Sequence, residues 1–437
     1  MKLSAISAAL LLLSPFAQAT TLDLNLQQTM PEIEKLYLDL HQSPELSYHE
    51  KQTGQKIAKQ LKQLGFTVTD NVGGYGVVGI YENGDGPTIM IRTDTDGLPI
   101  VEQTGKPYAS KVTVTNDTGA TVGVMHGCGH DIHMSSFIGT AQQLMTHKDQ
   151  WQGILMMVAQ PAEEVGGGAK AMLKEGLFTK YPTPDHVIGL HVSASVPAGK
   201  VSMKTEYTMA SVDSVDITVK GKGGHGAYPH TTIDPVVIAS RIVLALQTIT
   251  SRELSPLEPS VITVGSIHGG SKHNVISDEV KLQLTLRSYN PEVRLQQIAA
   301  IKRISKGIAL SAGLDESLAP EVYVHEDESI PSTYNNPAQT NLVRSAIANA
   351  IGEENVLETE AVMAGEDFGL YGRTEQHVPI TLFWLGGVEP SQYDAATQSG
   401  ATLPSLHSSK FAPDYKKALP TGITAMSNAA VALFNKK

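Results

Sequence analysis

Residues 154–164 read Ile154-Leu-Met-Met-Val-Ala159-Gln-Pro-Ala-Glu163-Glu164. Six apolar residues in a row, without polar alternation, describe a strand covered on both faces. Two acidic residues follow its end. Val77–Tyr81, Thr88–Arg92 and Val187–His191 are runs of the same kind, and Asp94 and Asp96 follow the second as His191 ends the third. Between them, Ile132–Thr146 and Gly168–Glu175 have helical character. Residues 24–64 also read as helical, with Ile57, Leu61 and Leu64 at i, i+4 and i+7 and Gly65 closing the run. The alternation predicts an α/β fold, a helix-flanked sheet with its chemistry gathered at strand ends.

A different pattern starts near residue 210. Val212–Val219 alternates as a strand, Asp234–Thr250 is helical, Ser260–His268 and Glu279–Arg287 are strands, Glu292–Ala312 is helical and Pro320–His325 is a strand. The order β-α-β-β-α-β is the split arrangement of small α+β domains. It divides the chain into a first part at 20–208, an inserted unit at 209–328 and a second part at 329–437. In the last part, Asn341–Ile351 is helical, Ile380–Leu385 is a strand, and Tyr415–Leu433 is helical with Pro420 expected to kink or divide it. Ser391–Pro404 reads as a polar loop.

At 437 residues, roughly one domain per 150 residues gives two or three units. Apolar residues make up 41% of the chain, an ordinary globular share. The formal charge of -11, with no long basic run, argues against nucleic acid as a partner. Residues 1–19, MKLSAISAALLLLSPFAQA, carry a basic Lys2, an apolar Leu3–Leu13 core and a small-x-small Ala17-Gln-Ala19 end. This predicts a secretory signal peptide cleaved after Ala19, a periplasmic or secreted protein and no stable membrane anchor. Loss of Lys2 with that segment takes the charge from -11 to -12. A single cysteine, Cys128, excludes an intrachain disulfide, so in an oxidising compartment the thiol is either buried and inert or held by a metal.

Cys128 lies in the densest cluster of the chain, His126-Gly-Cys128-Gly-His130-Asp131-Ile-His133. A thiolate, imidazoles and carboxylates suit zinc, with manganese, cobalt or nickel also able to bind. Glu163, Glu164, His191, Glu366, Asp367 and His407 lie downstream, enough donors for a two-metal site with a carboxylate left to activate water. Adjacent Glu163 and Glu164 can divide these tasks only if irregular backbone aims both inward.

The cluster and its companions resemble a known family. Pro44-Glu-Leu46 with Glu50, Arg92-Thr-Asp94-Thr-Asp96-Gly-Leu98-Pro99, Gln160-Pro-Ala-Glu163-Glu164, Gly189-Leu-His191, Gly223-Gly-His225-Gly-Ala-Tyr-Pro229-His230, Asn274-Val-Ile, Gly365-Glu366-Asp367-Phe368 and Leu406-His407 occur in order. Together with the cysteine cluster they are similar to the metal-dependent amidohydrolase, carboxypeptidase and aminoacylase family. Within it, the hippurate hydrolase and indoleacetyl-amino-acid hydrolase branch is most similar. Gly127 departs from that branch's usual alanine.

The resemblance implies a dinuclear-metal exopeptidase-like catalytic domain interrupted by a ferredoxin-like lid and dimerisation domain. It implies two divalent ions per subunit (Zn, Mn, Co or Ni), held by Cys128, His130, Glu164, His191 and His407. Glu163 would be the general base. His225 would stabilise the oxyanion, often across a homodimer, and Asn274 and Arg287 would meet substrate carboxylate or carbonyl groups. Asp131 would orient a ligand from behind, while His126, His133 and His230 would position loops or partners. The expected substrate is a small N-acyl amino acid, hippurate-like. The alternatives are a carboxypeptidase or dipeptidase for short peptides with a free carboxylate, and an inactive binding protein.

Overall fold

A computed structural model describes residues 21–436 apart from Asp23. The expected signal peptide lies outside the described residues. An eight-stranded mixed sheet runs, edge to edge, Thr67–Val72, Gly76–Asn83, Gly153–Gln160, Thr88–Asp94, His186–Pro197, Ile380–Val388, Val201–Met203 and Val356–Glu358. Its four central strands, Gly153–Gln160 through Ile380–Val388, are mutually parallel. Their lack of alternation now has a physical cause. Ile89 and Ile91, Leu155 and Met157, Ile188 and Leu190, and Phe383 and Leu385 face one core. The intervening Met90, Met156, Val158, Val187, Leu382 and Trp384 face a second core on the other side. Both faces are dry, so both sets are apolar.

The first core is closed by helices Met30–Gln42, Lys51–Gln63, His130–Thr146, Pro337–Ile351 and Tyr415–Phe434. Residues 24–64 are therefore two helices, broken by the segment 43–50. Pro420 neither divides nor ends Tyr415–Phe434, which is one helix. It removes one backbone bond near the start, whereas the helix buries Ile423, Met426, Val431 and Leu433 at roughly 1.5–3 kcal/mol each. The polar segment after 390 also differs from expectation. Pro390–Ser399 is a helix with its proline in the first turn, and the Glu389 carboxylate accepts from the Gln392 N–H.

Residues 213–324 carry the second sheet. Its strands are Asp213–Lys220, Ser260–Gly269, Glu279–Ser288 and Glu321–Val324, numbered first to fourth along the chain, and their spatial order is second-third-first-fourth, all antiparallel. This is the ferredoxin-like order. Helices Pro235–Thr248 and Pro291–Ser311 cover one face, and Val215, Ile217, Leu282, Leu284, Ile242 and Ile301 form its separate core. A short pair, Gly224–His225 with Val275–Ile276, projects from this unit. No helix among the described residues is long and apolar enough to cross a membrane.

Candidate metal centre and active site

The site forms where the parallel central strands end. Asp94 closes Thr88–Asp94, Glu163 and Glu164 follow Gly153–Gln160, and His191 lies in His186–Pro197, in register with Trp384 of the neighbouring strand. The cysteine cluster supplies the first turn of helix His130–Thr146. Gly129 before it has φ +80°, and a Cβ there would meet Val192 Cγ1 at 2.4 Å. Only this one of the two glycines beside Cys128 is left-handed. His407 arrives on a left-handed backbone (φ +63°) with its N–H bonded to the Gly127 carbonyl at 2.9 Å.

Five sequence-predicted residues fall into two three-donor groups. Cys128, His130 and His191 form one, and Cys128, Glu164 and His407 form the other, the donor atoms of each lying within 4.8 Å of one another. Cys128 Sγ belongs to both. It is 3.5 Å from His191 Nε2 and 3.2 Å from His407 Nε2, and His407 Nε2 is 3.4 Å from Glu164 Oε2.

Backbone carbonyls set the histidine tautomers. His130 Nδ1–H donates to the Asp96 carbonyl at 2.8 Å, and His191 Nδ1–H donates to the Val192 carbonyl at 2.8 Å. Both Nε2 lone pairs are thereby turned to the cluster. His133, one helical turn beyond His130, bridges Asp94 Oδ1 at 2.7 Å and the Val192 N–H at 2.7 Å, and so ties the helix to the strand bearing His191.

The donor set fits divalent cations. His130 Nε2 and Glu164 Oε1 are buried, have no hydrogen-bond partner, and face each other at 3.8 Å, too far for a bond of their own. Burial, then Glu366, Glu164 and Asp367, hold the Glu163 carboxyl well above the usual carboxylate range. Burial raises Glu164 to about 7, against the opposing pull of His130 and with Asp96, Asp94 and Glu366 adding to the rise. Burial, with Glu164 next, pushes the Cys128 thiol up too. Crowded anionic donors of this kind are costly without positive charge and become ionised ligands when a cation is present. The set would hold two ions, with Cys128 shared.

Behind Glu163 lies a buried arginine that the sequence reading quoted without a role. Arg92 donates to Asp94 at 2.7 Å, Glu366 at 2.8 Å, Asp367 at 3.1 Å and Gln160 at 2.9 Å. Gln160 in turn donates to Asp367, and the Tyr371 hydroxyl donates to Gln160. One guanidinium therefore organises three carboxylates around the Glu163–Glu164 turn. An arginine between apolar residues of a central strand was the available signal, because a buried guanidinium requires partners.

Asp131 needs correction. Its carboxylate pairs with His41 Nδ1 at 2.6 Å and accepts from the Ile132 N–H, so it staples two helices instead of orienting a ligand. Asp94 and the Asp96 carbonyl stand behind the histidines instead. His225 is exposed, its ring nitrogen accepting from the Ala227 N–H and its ring lying against Tyr228; it is not brought to the cluster within one chain. Asn274 is exposed on the same projecting pair, its carbonyl bonded to the Gly226 N–H. Arg287 is half-buried, and its Nη1 lies 3.3 Å from where a Gly365 Cβ would stand, just before Glu366 and Asp367. It has no ion pair among the described residues.

Beside the two donor groups opens a cavity of about 590 Å³, lined by Ser193, Ser195, Ser202, Trp384, Leu403 and Leu406 among others. No charged side chain lines it, and Trp384 packs on the His191 ring at 5.2 Å.

Residues 90–425 match the model of "Peptidase family M20/M25/M40". The chain belongs to this family. The M20 chain is 37% identical over 403 residues to thermostable carboxypeptidase 1 of Saccharolobus solfataricus, covering 91% of this chain and 94% of that one. It is 34% identical to the IAA-amino acid hydrolase ILR1-like 2 of Arabidopsis thaliana, over 78% of this chain and 74% of the plant protein. Its fold matches the crystal structure of the Bacillus subtilis YXEP protein, a dinuclear metal-binding peptidase of the family. The TM-score is 0.74 at 29% identity, with 93% of this chain and 99% of that one covered. The M20 chain is a metal-dependent hydrolase of the amidohydrolase and metallopeptidase class, with a donor set for two divalent ions.

Proposed function

We propose that this protein is an exported N-acyl-amino-acid amidohydrolase acting on hippurate-like substrates. The observation that carries this reading is the pair of donor groups sharing Cys128, with Glu163 beside His130 and Glu164, and an uncharged cavity whose Trp384 packs on His191. Cys128, His130, Glu164, His191 and His407 would hold the ions, which supply Lewis-acid polarisation of the amide carbonyl and acidification of water. Glu163 takes the proton of the attacking water and later delivers it to the leaving amine. Its carboxylate lies within 4.8 Å of the His130 and Glu164 donor atoms, the reach a proton carrier needs there.

The cavity receives the acyl group, and its size and lack of charge favour an aromatic or medium-length chain. Arg287, half-buried and without an ion pair among the described residues, is suited to the substrate carboxylate, with Asn274 as a further donor. His225 is suited to the oxyanion of a neighbouring subunit's site. The edge strand Ser260–Gly269, with Ile267 56% exposed, and nearby Val275, 48% exposed, support a homodimer through this unit. Export rests on residues 1–19.

The test is a substrate profile after loading with Zn, Mn, Co or Ni. Hippurate and other acyl-amino acids should be cleaved faster than dipeptides, and no hydrolysis with any of the four metals would overturn the reading. The similarity to a carboxypeptidase favours peptides as the second substrate class, and preferential release of a C-terminal residue from dipeptides would select it.

A further inference from the structure

The residue before Glu163 and Glu164, Ala162, is left-handed (φ +51°) although it is not glycine. Ala162 is fully buried, and an L-residue rarely holds this conformation unaided. The peptide N–H groups on either side of Glu163 are each taken by a buried carboxylate from elsewhere in the chain. Ala162 N–H donates to Glu50 Oε1 at 2.8 Å, and Glu164 N–H donates to Asp96 Oδ2 at 3.0 Å. Asp96 Oδ2 also accepts from the Ser47 hydroxyl at 2.6 Å.

Glu50 is completely buried and uses the same Oε1 to accept from the N–H of Tyr48 at 2.9 Å, a second non-glycine residue with positive φ (+63°). The Tyr48 hydroxyl lies 1.9 Å from where a Cβ on Gly167 would stand, so the 46–50 segment clasps the 162–168 turn at two points. Glu50 Oε2 has no partner. Glu50 precedes helix Lys51–Gln63 but makes no side-chain bond to that helix's N–H groups. Its side chain is committed to the catalytic turn and not to capping.

We propose that Glu50 is a positioning residue for the Glu163–Glu164 pair: its Oε1 holds Ala162 in the left-handed conformation that aims both carboxylates into the metal centre. This rests on the proposed role of Glu163 as base. The essential element is an acceptor atom at the right reach. Burial, with Asp96 next, brings Glu50 to about 7, so a neutral amide of the same length is a fair replacement for the acid.

The experiment compares E50D, E50Q and E50D/A162G with the wild type, each with metal stoichiometry measured and hippurate as substrate. E50D shortens the side chain by one methylene and loses the Ala162 N–H, so kcat should fall by roughly 5- to 30-fold, the population penalty of an unsupported left-handed residue, with KM little changed. E50Q keeps the acceptor and should stay within about threefold of wild type. Glycine takes positive φ without that penalty, so E50D/A162G should regain most of the lost kcat. Hydrogen exchange of the peptide spanning 160–168, measured on metal-free protein, should rise in E50D and stay raised in the double variant, whose residue 162 N–H still lacks its acceptor. Wild-type exchange in E50D, or a kcat loss that A162G leaves in place, would overturn the proposal. So would E50Q as impaired as E50D. If the wild type does not cleave hippurate, the substrate reading fails, while the exchange measurement still decides the role of Glu50.

Discussion

Replacing Gly129 by alanine isolates the one position where the metal-binding loop depends on glycine. Two costs add. An L-residue at φ +80° loses about 1–2 kcal/mol to backbone strain. The new methyl would lie 2.4 Å from Val192 Cγ1 and 3.5 Å from the Phe411 ring, an overpacking worth about 1–3 kcal/mol. G129A should therefore be destabilised by roughly 2–5 kcal/mol, or about 3–8 °C in melting temperature for a cooperative unit of some 300 residues. The control is G127A. Its backbone is not left-handed, and its Cβ would meet the ends of the flexible Ile100 and Leu98 side chains at 3.2 and 3.4 Å and the His407 Cα at an ordinary 3.7 Å, so the change should stay within about 1 kcal/mol. Thermal melts of chelator-treated protein read the structural cost free of metal linkage, and elemental analysis of loaded protein reads the effect on Cys128 and His130. G129A melting within a degree of G127A would refute the reasoning.

Glu163→Gln should reduce hydrolysis by at least about a hundredfold while metal stoichiometry stays at the wild-type value; loss of metal with unchanged turnover per loaded site would reverse the roles given to Glu163 and Glu164. His41 gives a pH signature. Burial lowers its pKa, but hydrogen bonds and charge from Asp131 and Glu102 overcome this and raise it to about 10 from an ordinary 6.5. Its stabilising contribution is therefore complete below pH 6.5 and is lost as pH rises towards 10. The stability advantage of wild type over H41Q should shrink by up to about 1.4 kcal/mol per pH unit in that window, and an advantage growing with pH in denaturant titrations would contradict it. Ala194→Phe, which projects a ring into the acyl cavity, should raise KM for benzoyl-glycine several-fold and spare acetyl-glycine; equal effects on both would place the acyl group elsewhere.

Much of the fold was legible because the central strands carry largely apolar runs spaced by helices, the pattern that burial on two faces imposes. The five donors were legible through the order of their motifs. What remained hidden depends on contacts with no local signature. The helix Pro390–Ser399 lacks any buried residue, so no hydrophobic stripe marks it, and its cap and proline were the only cues. Pro420 misled because tertiary burial outweighs one lost hydrogen bond. Asp131 stands beside the donor His130 in sequence, yet neighbours on a helix point about 100° apart, and its carboxylate meets His41 across the helix packing. Arg92 and Glu50 act over separations of 274 and 112 residues, beyond any local pattern.

The contact between Cys128 and His407 joins residues 279 positions apart, and the ferredoxin-like sheet lies inside that interval. The Cys128–Glu164–His407 group therefore cannot close until the interrupted sheet has taken up its late strand, Ile380–Val388, whereas Cys128, His130 and His191 all precede the insertion. Chain length adds only logarithmically to that closure cost, so the insertion is tolerated thermodynamically, but every refolding molecule must make the connection over its full span. Catalysis should accordingly be the last property to return after denaturation, behind secondary structure and behind the inserted unit's own core. Splitting the chain between the two flanking segments would turn an intramolecular encounter into a bimolecular one, so recovery of activity from the fragments would depend on their concentration.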